Sequence, residues 1–215
     1  MSMRYDMGLP ADRELGLGSA AAAARRGDLV VLATDSVYGV GTDAFNPVGV
    51  ERIQQAKGRG RDFAVPVLVG SPSTVDGLAF GVTTPARRLV EAFWPGALTI
   101  VVRHQPSLSW DLGDARGHVA LRMPLHPVAL ELLREVGPMA VTSANRTGLA
   151  PATTADDAQG QLGDLVSVYL DSGALPPAPA STIVDVTGEV PVLLRAGAID
   201  LETLRTVCPE LVEAS

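Results

Sequence analysis

The 215-residue sequence holds one cysteine, Cys208. One thiol excludes an internal disulfide and fits a reducing compartment. Its place just before Pro209 reads as a packing position at a helix end, not as a nucleophile. Aromatic residues are scarce at 4%, so the core must be built mainly of Ala, Val and Leu. Neither Trp94 nor Trp110 has a second aromatic beside it in a stacking pattern, which argues against a base-stacking RNA platform. Positive charge is in deficit, with 17 Lys and Arg against 24 Asp and Glu for a net charge of -7. Such a balance offers no broad basic face for nucleic acid. No stretch approaches the roughly 18 apolar residues of a membrane span, and Met1 to Pro10 lacks the apolar run of a signal peptide. A cytoplasmic protein is expected. His104, His118 and His126 lack metal-ligand spacing, and neither a P-loop nor a Gly-x-Ser-x-Gly elbow occurs. Zinc enzymes, P-loop NTPases and α/β-hydrolases are thereby disfavoured, and no protein metal site is expected.

What is present is regular punctuation. Hydrophobic residues make up 47% of the chain, enough for a substantial core. Helices are expected over Ala20 to Arg26 behind Ser19, from Asn46-Pro47 to about Ala56, from Thr84-Pro85 to Phe93, over Pro127 to Val136, Thr154 to Leu162, and Leu201 to Val207 behind Asp200. Strands are expected over Leu29 to Ala33, Val65 to Val69, Leu98 to Val102, His118 to Arg122, Met139 to Thr142 and Leu165 to Leu170. Thr182 to Val186 and Val190 to Leu194 flank Gly188 as a hairpin. Strands alternating with helices predict an α/β class, layered around a central mixed sheet with helices on both faces. The domain expectation is a flexible N-terminus over residues 1–15 and a single domain over 16–215, with Pro176 to Ala180 a loop inside it.

Four segments sit at expected strand ends, where α/β sheets build sites. Thr34-Asp35-Ser36-Val37-Tyr38-Gly39-Val40-Gly41 offers three hydroxyls and two glycines but is no Rossmann fingerprint. In Lys57-Gly58-Arg59-Gly60-Arg61, cations fall on alternate positions. On an extended segment all three would point one way and converge on a polyphosphate, with the glycines admitting backbone N–H groups. Ser143 and Asn145 are two apart, a hydroxyl and an amide suited to phosphate oxygens or a base edge. Ser181-Thr182 enters the hairpin and Arg195 leaves it, and Arg suits bidentate anion binding. Each has a plain structural alternative: a polar turn, a solvated loop, an Asx-turn and a surface Arg.

Further stretches lie between these: Phe93-Trp94-Pro95-Gly96-Ala97-Leu98-Thr99, Val119-Ala120-Leu121-Arg122-Met123-Pro124 with His126-Pro127, Ser181-Thr182-Ile183-Val184-Asp185, and Leu194-Arg195-Ala196-Gly197-Ala198-Ile199. In this order, over roughly residues 20–200, the segments resemble the YrdC-like family, the threonylcarbamoyl-AMP synthases, in their short single-domain form. The resemblance implies a three-layer fold with a central twisted mixed sheet covered by helices. It also implies that L-threonine, bicarbonate (CO2) and ATP condense to threonylcarbamoyl-AMP and pyrophosphate, for threonylcarbamoyladenosine modification of tRNA. Lys57, Arg59, Ser143 and Asn145 would then be catalytic, with Arg59, Ser143, Pro151 and Arg195 on ATP, and Ser36, Arg122, Val141 and Ser181 on L-threonine. Mg2+ is expected with ATP, and tRNA-modification proteins are the expected recipients of the intermediate, with little or no direct nucleic-acid binding. Many relatives carry Asn-Pro and His where this chain has Val65-Pro66 and Gly70; other side chains, Arg61 among the candidates, would have to serve. Two alternatives stand beside the synthase. One is a nucleotide or double-stranded RNA binding module without activity. The other makes a different carbamoyl-adenylate, as hydrogenase maturation proteins do; the zinc-binding cysteines that accompany those are missing here.

Overall fold

Apolar runs bounded by turn residues form the strands; of the seven α-helices among the described residues four carry a proline in the first turn and four are capped by an Asn, Thr or Asp side chain. The protein is described by a computed structural model over residues 2–214. Its strands are β1 (Met3–Asp6), β2 (Leu29–Ala33), β3 (Tyr38–Asp43), β4 (Val67–Leu68), β5 (Leu98–Arg103), β6 (His118–Arg122), β7 (Met139–Ser143), β8 (Val166–Asp171), β9 (Thr182–Asp185), β10 (Val192–Arg195) and β11 (Val212–Glu213). The helices are α1 (Pro10–Arg25), α2 (Pro47–Lys57), α3 (Val75–Leu78), α4 (Thr84–Phe93), α5 (Pro127–Val136), α6 (Ala155–Leu162) and α7 (Leu201–Val207). All the strands join one mixed sheet in the order β1-β8-β2-β3-β7-β4-β6-β5-β9-β10-β11. The expected hairpin is present, β9 antiparallel to β10.

The two faces of this sheet are covered unequally. On one, Ile53 of α2, Leu89 of α4, Leu162 of α6 and Leu204 of α7 join Ile100, Leu121 and Val184 in a continuous core. On the other, α1 brings Ala20, Ala21, Ala23 and Ala24, and α5 brings Val128, Leu132 and Leu133, onto Val30, Leu32, Val168, Leu68, Met139 and Val141. That second cover stops at β4. Beyond it Val101, Ala120, Ile183 and Asp185 remain half-buried, and Arg103 and His118 are exposed. A sheet that is apolar on one face and wet on the other requires alternation along each strand. β5 shows it, with Leu98, Ile100 and Val102 buried while Val101 and Arg103 are more exposed. Thr99 and Arg122, themselves buried, lie on this face where the helical cover ends.

The N-terminus corrects the expectation of a flexible segment. Residues Met3 to Asp6 pair in parallel with Val168 to Asp171, and α1 begins at Pro10, so Ser19 lies inside the helix and caps nothing. Gly16 makes this packing possible: a Cβ there would sit 2.8 Å from side-chain atoms of both Tyr5 and Met7. The stretch from Tyr38 is a strand, not a loop, and Trp110 does stack on another aromatic, Phe45, at 5.5 Å between ring centroids. No helix among the described residues is long and apolar enough to cross a membrane.

Candidate functional site

Cross-strand registry assembles the site. Arg122 on β6 lies opposite Thr99 on β5, Thr99 opposite Ile183 on β9, and Ile183 opposite Arg195 on β10. Directly opposed residues share a face, so the two guanidinium groups rise from the same open side of the sheet. Arg195 is there because of a β-bulge. Leu193 pairs with Val184, and the register then shifts so that Arg195, not Leu194, meets Ile183. Without the extra residue Arg195 would point to the opposite face. Across β4 the same face continues through Leu68 to Met139, and two and four residues on to Val141 and Ser143. Gly39 and Gly41 of β3 pair with Ser143 and Val141. A Cβ on Gly41 would lie 2.6 Å from the Ala140 carbonyl oxygen and from a Val141 methyl, so bare backbone is required there.

Arg122 is held on three sides. Its Nε donates to the Gly96 carbonyl at 3.0 Å, Nη1 to Ser36 Oγ at 3.1 Å and Nη2 to Asp35 Oδ1 at 2.7 Å. Asp35 and Ser36 reach it from the turn after β2, which Thr34 closes by accepting from the Ser36 and Val37 N–H groups. Arg195 is fixed by a neutral partner: Nε and Nη2 donate to the Ser181 carbonyl at 3.0 and 2.7 Å, and Nη2 also to Ser181 Oγ at 3.0 Å. Ser181 Oγ is in turn 2.9 Å from Thr99 Oγ1, so hydroxyls link Arg195 to Thr99, the residue paired with Arg122. Burial first, and the positive charge of Arg122 second, hold the Arg195 pKa below the ordinary arginine value.

A second cluster borders this row. Asn46 caps α2 by accepting from the Gly49 N–H, and Gly58 ends it with φ +64°. Lys57 is thereby delivered, buried, under the end of β7. Its ammonium lies 2.8 Å from the Ser143 carbonyl, 3.2 Å from Ser143 Oγ, 2.6 Å from the Asn145 carbonyl and 2.9 Å from Asn145 Oδ1. Asn145 Nδ2 donates to the Leu149 carbonyl at 2.7 Å and rounds off the loop that carries the exposed Pro151. Burial, with a smaller push from the Arg59 cation, brings the Lys57 pKa down to about 8. Arg59 reaches the same loop, donating to Thr147 Oγ1 at 3.0 Å, and stacks over Phe63.

The three alternate cations therefore do not converge. The left-handed turn at Gly58 breaks the extended geometry they would need, and Arg61 is exposed and bound by both guanidinium nitrogens to Asp111. Arg61 is not available to replace side chains near Val65 and Gly70. All the other expected positions, Ser36, Lys57, Arg59, Arg122, Val141, Ser143, Asn145, Pro151, Ser181 and Arg195, fall in or beside the two clusters. Asp35 and Thr99 join them without having been singled out, although both stand within the motifs quoted above. A cavity of about 300 Å3 lies farther along β5 and β6, lined by Pro66, Val101, Ala120, His118 and Arg116, and none of the side chains of the two clusters lines it.

Residues 22–197 match the Sua5/YciO/YrdC family, described as "Telomere recombination". A Mycobacterium tuberculosis protein carrying a provisional name as a threonylcarbamoyl-AMP synthase is 54% identical over 207 residues, covering 96% of this chain and 95% of its own. The threonylcarbamoyl-AMP synthase of Bacillus subtilis is 36% identical over 193 residues, 89% of this chain and 56% of the bacillar one. The crystal structure of Pyrococcus abyssi Sua5 complexed with L-threonine superposes with a TM-score of 0.90 at 30% identity, over 100% of this chain and 62% of the archaeal one. Fold, the match over most of the chain and relatives of this similarity agree: the chain belongs to the Sua5/YciO/YrdC family.

Proposed function

We propose that the protein is an L-threonylcarbamoyl-AMP synthase, a nucleotidyltransferase that condenses L-threonine, bicarbonate or CO2, and ATP. The observation that carries this reading is the pair of guanidinium groups on one sheet face, one in an ion pair and one without, with the Thr99–Ser181 hydroxyl contact on the strands between them. Arg122, with Ser36 and Ser181 beside it, takes the threonine carboxylate and hydroxyl. Arg195 and Arg59 face the phosphates, and the loop from Ser143 to Pro151 takes the nucleoside, with Val141 lining the pocket floor.

In the reaction the threonine amine adds to CO2, losing a proton, to form a carbamate. A carbamate oxygen then bonds to the α-phosphorus of ATP while the bond to the β-phosphate oxygen breaks, and pyrophosphate leaves with the electron pair. Little covalent work falls to the protein, so positioning and charge neutralisation carry catalysis. Lys57 acts mainly through the loop: its hydrogen bonds to Ser143 and Asn145 hold their backbone and side chains in place while its charge adds to the field around the triphosphate. Mg2+ is expected to accompany ATP. Among the described residues no three His, Cys, Asp or Glu side chains converge to cage a metal.

The reading is tested by incubating the protein with ATP, L-threonine and carbon-13 bicarbonate and analysing products by mass spectrometry. Threonylcarbamoyl-AMP carrying one labelled carbon is expected. Formation of threonyl-AMP without the label would overturn it.

A further inference from the structure

We infer that Asp35 sets the ligand class of the Arg122 subsite. Its carboxylate makes that subsite neutral, so that it accepts an amino-acid zwitterion and leaves phosphate-like anions to Arg195. The inference rests on the synthase reading and deepens it.

Two identical cations are neutralised unequally. Arg122 and Arg195 occupy one row on one sheet face and are close enough that the charge of the first disfavours the second. Either would attract a triphosphate if its charge were free. Only one is free. Arg122 is bound to Asp35 at 2.7 Å, with side-chain exposures of 10% and 16%, the most buried ion pair among the described residues. Arg195 has no carboxylate partner among them; the carbonyl and hydroxyl of Ser181 orient it without neutralising it.

Asp35 is itself fixed. The same Oδ1 that meets Arg122 accepts the Leu125 N–H at 2.9 Å, which ties it to the turn ahead of α5. It therefore acts as a permanent counter-charge and not as a mobile one. The Gly96 carbonyl, Ser36 and Asp35 engage Nε, Nη1 and Nη2. Each terminal nitrogen keeps a second N–H, which is what a carboxylate requires. A net-neutral dyad of this kind offers a zwitterion a partner for each of its charges. To a dianion it offers attraction offset by repulsion from Asp35 at close range and in a partly desolvated place. Unequal neutralisation of two equal cations thus gives adjacent subsites opposite preferences, which keeps ATP phosphates from blocking the amino-acid position.

The test is calorimetric binding to the full chain of three probes: L-threonine, its deaminated counterpart 2,3-dihydroxybutanoate, and inorganic phosphate. Asp35→Asn, which keeps the shape, is expected to weaken L-threonine by about tenfold or more and to tighten both anionic probes, reversing the wild-type preference. Asp35→Glu keeps the charge and is expected to keep the preference for L-threonine even where every affinity falls. An Asp35→Asn chain that weakens all three probes equally, or changes none, overturns the inference, as does an Asp35→Glu chain that prefers the anions. Where Asp35→Asn does not reach the wild-type circular dichroism, the order measured on Asp35→Glu decides. A wild-type chain that binds no L-threonine refutes the synthase reading itself, and with it this one; wild-type binding with an unaltered Asp35→Asn profile refutes this one alone.

Discussion

At the scale of single residues, Lys57 and Arg122 do different work with the same sign of charge. Lys57 has three hydrogens for four neighbouring acceptors, all on Ser143 and Asn145. Its pKa, lowered to about 8 by burial and by Arg59, puts loss of that charge within easy experimental reach. Below that value the ammonium is present and the loop and the local field are complete. As pH rises through it the charge disappears, so ATP affinity is expected to fall above about pH 8. Calorimetry between mildly acidic and alkaline pH checks this, and Lys57→Met should bind ATP weakly with no inflection. In the proposed site Arg122 offers its guanidinium to the threonine carboxylate. Each lost charge-assisted hydrogen bond is worth about 1.5–3 kcal/mol, or roughly 10- to 100-fold in concentration. Arg122→Ala should therefore raise the threonine requirement by that factor and the ATP requirement much less. Steady-state kinetics with each substrate varied in turn checks it, and the reverse ordering would reassign the residue.

At the scale of elements, what could be foreseen was what local chemistry decides. Asn46-Pro47, Thr154 and Asp200 announce helices because an Asx or hydroxyl side chain accepts a backbone N–H, and in each case the structure shows that hydrogen bond. Three things are decided elsewhere. β3 could not be read as a strand because Gly39 and Gly41 weaken strand propensity; they are there because β7 approaches too closely for a side chain. Arg195 could be placed near the site but not aimed, since its direction comes from a bulge that no short-range pattern specifies. Lys57, Arg59 and Arg61 alternate as they would on a strand, yet Gly58 adopts φ +64° and separates them. The glycine argument is measurable. Gly41→Ala would force its methyl against the Ala140 carbonyl and Val141 and should cost about 1–3 kcal/mol, read as a lower midpoint in urea denaturation. Gly58→Ala meets nothing within 4 Å and is disfavoured only by its positive φ, by about 1–2 kcal/mol. A Gly41→Ala chain with the wild-type midpoint would contradict the close approach of β7.

At the scale of the molecule, the unequal covering of one sheet face is the central fact. Helices α1 and α5 close it over β8, β2, β7 and β4, and the proposed substrate site lies beyond that cover. The layered α/β arrangement follows from alternating apolar runs and helix caps, and was legible. Which part of the sheet would stay bare was not, because it depends on where α1 and α5 pack. A net charge of -7 makes the local excess of Arg59, Arg195 and Lys57 stand out. It also gives a prediction for RNA: any affinity should be weak and should vary little between low and moderate salt, since few phosphates could be neutralised. A steep salt dependence in filter binding would favour a direct RNA-binding role instead.

The shared site is tested most directly by pyrophosphate release from the purified protein, measured with ATP, L-threonine and bicarbonate together and with each omitted in turn. Arg122, Arg195 and Lys57 acting on one set of substrates predict release that requires all three compounds. Release from ATP alone, or release undiminished without threonine, would contradict it.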